Sequence, residues 1–214
     1  MDKGFKLILV DLEAKLCQEF EKAFKGVEGV EVVNGRFEDV EFDCIVSAAN
    51  SFGLMDGGVD GAITGYFGKQ MMDRVQEHII KEYHGEQPVG TSFIIRGNEE
   101  WNDGKNKYVA HTPTMRVPMN IRQTENVYHA MKAMLVAVYR WNSDVRRGLK
   151  TLGVNGINTV ACTGLGTFCG DVPFRKAAKD MKMAYDNVIN KPTHIDWDFA
   201  NLRNKQIFLS KIGS

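Results

Sequence analysis

Between Asp43 and Ile63 the chain passes from an apolar run, Asp43-Cys44-Ile45-Val46, through Ser47-Ala48-Ala49-Asn50 into Asp56-Gly57-Gly58-Val59-Asp60-Gly61-Ala62-Ile63. The apolar run fits a buried strand, and the glycines after it fit a tight passage into a helix. This order constrains the fold more than any other feature of the sequence. A strand that opens through glycines onto a helix N-terminus leaves unpaired main-chain N–H groups at one edge of a sheet, where they suit a phosphate. A second stretch repeats the arrangement: Thr159-Val160-Ala161-Cys162 reads as a buried strand, Thr163-Gly164-Leu165-Gly166-Thr167-Phe168-Cys169-Gly170 as a loop, and Pro173 as the start of another helix. One glycine run is commonly only a tight turn, but two strand-to-helix loops suggest a diphosphate held between them.

The rest of the chain alternates in the same way. Phe5 to Val10 suits a buried strand, and Leu12, Leu16, Phe20 and Phe24 recur every fourth residue, which predicts a helix ended by Gly26. Val30 to Val33, Phe93 to Ile95 and Tyr108 to Ala110 read as further strands, with a polar loop from Gly97 to Asn106. Helical spacing links Met72, Val75, Ile79 and Tyr83, closed by Gly85 and Pro88. Thr124 is placed to cap a helix whose apolar stripe is Val127, Met131, Met134, Leu135 and Val138, and Ala177, Met181, Tyr185 and Val188 mark the helix after Pro173. Strands alternating with helices predict an α/β sandwich with a largely parallel sheet, ligands lying at the carboxyl ends of the strands. The tail from Asn190 to Ser214, with Trp197, Phe199, Ile207, Phe208 and Leu209, is open to three readings: an added strand, a covering helix or an oligomer contact.

The segment Asp43 to Ile63 resembles the first signature of macrodomains, the ADP-ribose-binding modules, and Thr163 to Gly170 resembles their second glycine loop. Lys107-Tyr108-Val109-Ala110-His111 is similar to the family's central strand ending in histidine, and the three pieces keep the family's order over roughly residues 30 to 190. The resemblance implies a three-layer α/β/α sandwich with a mixed, largely parallel central sheet, residues 1–214 forming one macrodomain-like domain with 190–214 as an extension. Within the family, the step from Asn50 to Asp60 and the presence of His111 resemble the branch that removes the terminal phosphate of ADP-ribose 1''-phosphate. Ser47 stands where many members have asparagine, Asp56 where a glycine is usual, and Arg36 where an aspartate commonly contacts the adenine amino group.

The resemblance implies a ligand site made of Ala49, Asn50, Gly57, Gly58, Val59, Thr163, Gly164, Leu165, Gly166, Thr167 and Phe168, with Phe37 packing on the base and Asn50, Asp60 and His111 carrying the chemistry. Each residue also has a plainer reading. The Asn50 carboxamide can donate to and accept from a ribose cis-diol, or can simply order a turn. Asp60 just inside a helix start can interact with the helix dipole, or can deprotonate an attacking water. His111 can be a satisfied core histidine, or an acid or nucleophile toward phosphorus. Phe168 covers the distal ribose or anchors its loop, and Arg116 and Arg122 neutralise a terminal phosphate or remain solvated.

Composition narrows the class. The 214 residues are 43% hydrophobic, enough for one ordinary core, and 27 basic residues balance 27 acidic ones, which argues against nucleic acid as a general partner. Cys17, Cys44, Cys162 and Cys169 lack metal-ligand spacing, so neither a zinc site nor a disulfide framework is expected, and the proposed chemistry requires no cofactor. No run has transmembrane length and the opening Met1-Asp2-Lys3-Gly4 does not read as a signal peptide, so a soluble cytoplasmic protein without membrane partners is expected. The leading expectation is a phosphatase for ADP-ribose 1''-phosphate, and its alternatives are a hydrolase of mono-ADP-ribosylated protein and a non-catalytic binder of ADP-ribose or a related nucleotide. A changed ligand, such as another nucleotide diphosphate or an RNA end, is the further reading raised by Arg36 and Asp56.

Overall fold

The computed structural model describes residues 4–97, 107–150 and 154–212. The polar stretch read as a loop after Gly97 therefore lies outside the described residues from 98 to 106. The elements follow in the order β1 (Lys6–Asp11), α1 (Ala14–Ala23), β2 (Val30–Asn34), β3 (Cys44–Asn50), α2 (Gly58–Phe67), α3 (Gln70–Tyr83), β4 (Phe93–Arg96), β5 (Tyr108–Met115), α4 (Asn126–Arg146), β6 (Thr159–Cys162), α5 (Phe174–Ile189) and α6 (Trp197–Ile212). They build a six-stranded sheet in the order β2-β1-β6-β3-β5-β4. Every pairing is parallel except β4 with β5, as the alternation of strands and helices predicted.

Successive strand residues alternate between two cores. Leu7, Leu9, Cys44, Val46, Tyr108 and Ala110 face a layer made by α1, α4 and α5. Ile8, Val10, Ile45 and Val109 face α2 and α3 through Ile63, Phe67, Met71, Val75 and Ile79. Both sheet faces are thus covered, which is why the central strands read as continuous apolar runs rather than as alternating ones. The result is a three-layer α/β/α sandwich with a mixed, largely parallel sheet.

Boundaries differ from the expected ones where side-chain bonds intervene. Leu12 begins the four-residue apolar spacing but lies outside α1 and is 73% exposed. The Asp11 carboxylate accepts the Glu13 amide, and Glu13 in turn caps the helix by accepting the Lys15 amide. In α3 it is Met71, one residue before the expected Met72, that is buried with Val75 and Ile79. Met72 is part-buried and its sulfur accepts the Met55 amide. Thr124 accepts the Asn126 amide as a cap would, while Glu125 occupies the first flanking position. Of the readings open for the tail, the structure places a helix there, packed on α5 by Ile207 against the core.

The start of α5 is locked by a buried ion pair. Lys176 Nζ lies 2.5 Å from Asp180 Oδ2, both side chains being almost fully buried, and it also donates to the Thr124 carbonyl at 3.4 Å. Ser210 of α6 donates to the other oxygen of Asp180. Removing one partner of such a pair leaves a buried charge uncompensated. Lys176→Met is therefore expected to lose about 3–5 kcal/mol in urea unfolding, and the double variant Lys176→Met/Asp180→Leu to recover most of that loss.

Candidate functional site

The carboxyl ends of β1, β2, β3, β5 and β6 open onto one cleft of about 550 Å³, a size that suits a nucleotide-sized ligand. One wall is the turn from β3 into α2. Asn50 closes β3, and its carboxamide donates to the Leu54 carbonyl at 2.8 Å while accepting the Phe52 amide at 3.0 Å and the Leu54 amide at 3.3 Å. The turn-ordering role weighed for Asn50 is thus present, and the residue still lines the cleft beside Ala49.

Gly57, Gly58, Val59 and Asp60 also line the cleft. Gly58 has φ +55, a backbone region that favours glycine, and it begins α2 with no side-chain cap on the helix. The first intrahelical bond of the turn runs from the Gly61 amide to the Gly57 carbonyl, so the amides before it are free to face a ligand.

The opposite wall is the loop after β6. Thr163, Gly164, Gly166, Thr167 and Phe168 line the cleft, whereas the Leu165 side chain points into the core and contributes no surface to it. Gly164 is held so tightly that an added Cβ would lie 2.4 Å from Leu16 and 2.8 Å from Thr167 Oγ1. Its amide donates to Asp11 Oδ2 at 3.0 Å, which removes that donor from a phosphate cradle and leaves the task to the amides that follow. Phe168 is 68% exposed at the rim and does not anchor the loop. Phe37 lines the far end with its ring packed edge-on against Phe42 and Tyr66, so it forms a fixed wall.

Asp60 is the most perturbed acid of the cleft. It is only 6% exposed, and burial pushes its carboxyl up to about 6, against the hydrogen bond that Ser47 Oγ donates at 2.6 Å; the nearby Asp56 charge adds to the rise. Ser47, in the place of the family's asparagine, thus serves as the partner of this carboxylate.

His111 lies elsewhere. It is fully buried in β5, stacked on Phe93 at 5.2 Å, and it does not line the cleft. Its Nδ1 donates to Gln87 Oε1 at 2.6 Å, which sets the tautomer, while Nε2 has no hydrogen-bond partner. Burial pushes its pKa down to about 3, with the neighbouring His78 acting in the same direction. A neutral imidazole packed away from the cleft matches the core reading and supplies neither acid nor nucleophile to a ligand there. Arg116 and Arg122 are likewise engaged elsewhere: Arg116 with Glu86 at 2.6 Å, Arg122 with Asp171 at 3.3 Å. Among the described lining residues the one cation is Arg36, paired with Glu38 at 2.8 Å.

Five further lining residues lie outside both glycine signatures. Asp11 at the end of β1 and Leu12 after it face the cleft, as do Thr114, Met115 and Pro118 after β5. A charged residue directly after the apolar run Leu7 to Val10 was the available signal for Asp11, because ligands gather at the carboxyl ends of parallel strands. Asp11, Glu38, Asp56, Asp60 and Cys169 all line this region, yet among the described residues no group of three or more His, Cys, Asp or Glu is placed to hold a metal ion. No described helix is long and apolar enough to cross a membrane.

The fold and the two-loop cleft are those of a macrodomain, and the Macro domain family model matches residues 46–181, more than half of the chain. An uncharacterized protein of Aquifex aeolicus is 31% identical over 153 residues, covering 71% of this chain and 78% of the relative. A macrodomain of Oceanobacillus iheyensis solved with MES bound superposes with a TM-score of 0.53 at 19% identity, covering 84% of this chain and 90% of the other. The macrodomain of Mycobacterium tuberculosis DarG gives 0.52 at 16% identity over 72% and 88% of the two chains. At these identities the structural likeness concerns the fold. The chain belongs to the macrodomain family.

The buried histidine has a measurable signature. Its folded-state pKa lies below the ordinary 6.5, so the folded protein binds fewer protons than the unfolded chain between pH 6.5 and about 3, and stability falls as the pH is lowered through that window. Urea unfolding of the wild type is expected to lose about 1.4 kcal/mol more per pH unit below 6.5 than His111→Gln does. Equal slopes would show that the imidazole is not held neutral.

Proposed function

We propose that the cleft binds ADP-ribose or a derivative and that the protein hydrolyses the bond at the distal ribose, with Asp60 as the base. The observation that carries this reading is a cleft-lining carboxylate, desolvated and raised to about 6, beside two backbone loops suited to a diphosphate. Asp60 accepts a proton from water as the water oxygen bonds to the anomeric carbon. The bond from that carbon to the leaving oxygen breaks, and the leaving group takes the electron pair. Loop amides hold the diphosphate in place during the step. No metal is called for in this chemistry.

Two leaving groups come into question. Removal of a terminal phosphate from ADP-ribose 1''-phosphate, the expectation drawn from sequence, relied on His111, which is buried away from the cleft. It would also place a phosphate dianion near Asp56 and Asp60, with Arg116 and Arg122 turned to other partners. An ester between ADP-ribose and an acidic protein side chain fits better. A carboxylate departs without a general acid, and the ester brings no charge to an acidic end of the cleft. Mono-ADP-ribosyl-protein hydrolysis is therefore the reading the geometry supports best, with the phosphatase and the non-catalytic binder as its rivals.

Release of ADP-ribose from an automodified protein, measured beside phosphate release from ADP-ribose 1''-phosphate, separates the three. The first is expected to be the faster reaction, and tight binding with neither turnover would leave a binder. Asp60→Ala is expected to lower kcat by about 10²–10⁴-fold while ADP-ribose still binds.

The pH dependence follows from the raised carboxyl. The base acts ionised, so kcat/KM is expected to rise with pH through about 6 and then level off. For stability the sign is opposite: the contribution of a carboxyl raised on folding is complete below its ordinary 3.8 and is lost as pH rises through about 6. Asp60→Asn is thus expected to melt above the wild type at neutral pH, with the gain shrinking as the pH approaches 3.8.

A further inference from the structure

The chain that leaves β5 runs from one glycine loop to the other before it enters α4. Met115 and Ile121 are buried, and residues 116–120 between them are all exposed. Both ends of this crossing are tied. The Arg116 carbonyl accepts the Ser51 amide at 3.1 Å in the turn after β3, and the Ile121 amide donates to the Gly170 carbonyl at 2.9 Å in the loop after β6. Asn120 adds a bond to the Asp171 carboxylate at 2.9 Å, and Pro118 in the middle of the crossing lines the cleft.

The exposed side chains around this opening are apolar. Val117 and Met119, on either side of Pro118, and Leu54, which lines the cleft from the turn that Asn50 orders, are each between 43% and 49% exposed. Single exposed apolar side chains are ordinary, but several gathered at the mouth of a cleft mark a surface that meets a partner. The charges that flank the crossing satisfy one another: Arg116 holds Glu86 by two bonds, at 2.6 and 2.9 Å, and Arg122 holds Asp171 at 3.3 Å. Whatever lies on this surface is thus selected by apolar contact rather than by charge, and the Asp56 and Asp60 carboxylates that line the cleft disfavour a further acid beside them.

Position identifies the partner. In the sheet β5 neighbours β3 on the side away from β6 and β1, and Asp60 is bonded to Ser47 of β3. With a diphosphate between the loops after β3 and β6 and Asp60 as the base, the bond that breaks lies towards β5, and the leaving polypeptide emerges beside the crossing. Resting on the reading of the cleft as a site that removes ADP-ribose from protein, we infer that residues 117–119 and Leu54 form the dock for the polypeptide that carries the modification. The dock covers apolar side chains next to the modified acid, so the preferred substrate is an ADP-ribosylated acidic residue flanked by apolar ones.

The test uses two peptides that bear ADP-ribose as an ester on a central glutamate, one with leucine on each side of it and one with serine. The wild type is expected to release ADP-ribose from the leucine peptide with a kcat/KM about tenfold higher, chiefly through KM, because docking away from the reacting bond holds the ground and transition states alike. Val117→Ser/Met119→Ser is expected to remove that preference and to leave the calorimetric affinity for free ADP-ribose unchanged. A wild type that cleaves both peptides alike overturns the dock without any appeal to a variant, and so does a folded double variant that keeps the preference. Loss of ADP-ribose affinity in step with loss of turnover also overturns it, because the crossing then only supports the cleft. A wild type that sediments as a dimer, which the double variant dissolves, and that shows no preference between the peptides assigns the surface to a second copy of the chain instead. If ADP-ribose binds and neither peptide is cleaved, the hydrolase reading fails first and the dock falls with it, a result distinct from cleavage without preference.

Discussion

The site depends on the insertion of β6 between β1 and β3. This strand has only four residues, arrives late in the chain, and is pinned by parallel ladders on both sides, Lys6 opposite Thr159 and Cys44 opposite Val160. Its entry is fixed by Asp43, whose carboxylate accepts the Asn158 amide at 2.7 Å and the Thr159 amide at 2.9 Å. A slip of one residue would turn Val160 and Cys162 to the opposite face and carry the second glycine loop out of line with the first. With the register held, both loops leave the same sheet edge from adjacent strands. Asp11 then reaches across from β1 to hold Gly164.

Burial divides the titratable groups of the structure by what each can do. Asp60 and His111 are both deeply buried, yet the first opens onto the cleft and the second does not. Desolvation acts on each against its charged form, raising the acid and lowering the base. For Asp60 the consequence is a carboxylate near the working range of a general base. For His111 it is a neutral ring that joins β5 to Gln87, whose own amide donates to the Ser51 carbonyl at 2.8 Å and so steadies the turn after Asn50. The cleft is left with amides and helix ends as its main positive features, which favours a ligand held by dipoles rather than by lysine or arginine.

Much of this was legible in local sequence. The stripe Val127, Met131, Met134, Leu135 and Val138 is buried in α4 as its spacing predicted, and both glycine loops line the cleft. Readings that missed did so where one side chain competed with the periodic pattern. Leu12 continues an apolar spacing but is held out of the helix by the Asp11 and Glu13 bonds, and Met71 is the buried residue of α3 while the Met72 sulfur is engaged by the Met55 amide. The tail showed no clear period. Its helix leaves Trp197, Leu202, Phe208 and Leu209 exposed, so no single apolar face announced it.

By itself the sequence determined the alternating α/β architecture and the two backbone loops, because hydrophobic period and glycine conformation are properties of short segments. It also determined which acids and bases were available. Which of them face the cleft was decided only by the tertiary structure. Asp11 and Gly164 are 153 residues apart in the chain and 3.0 Å apart in space, and His111 is excluded from the cleft by the packing of Phe93 and Gln87 around it. The physical reason is that partner and exposure, which set whether a polar group binds, catalyses or merely supports, arise from strands brought together in the sheet.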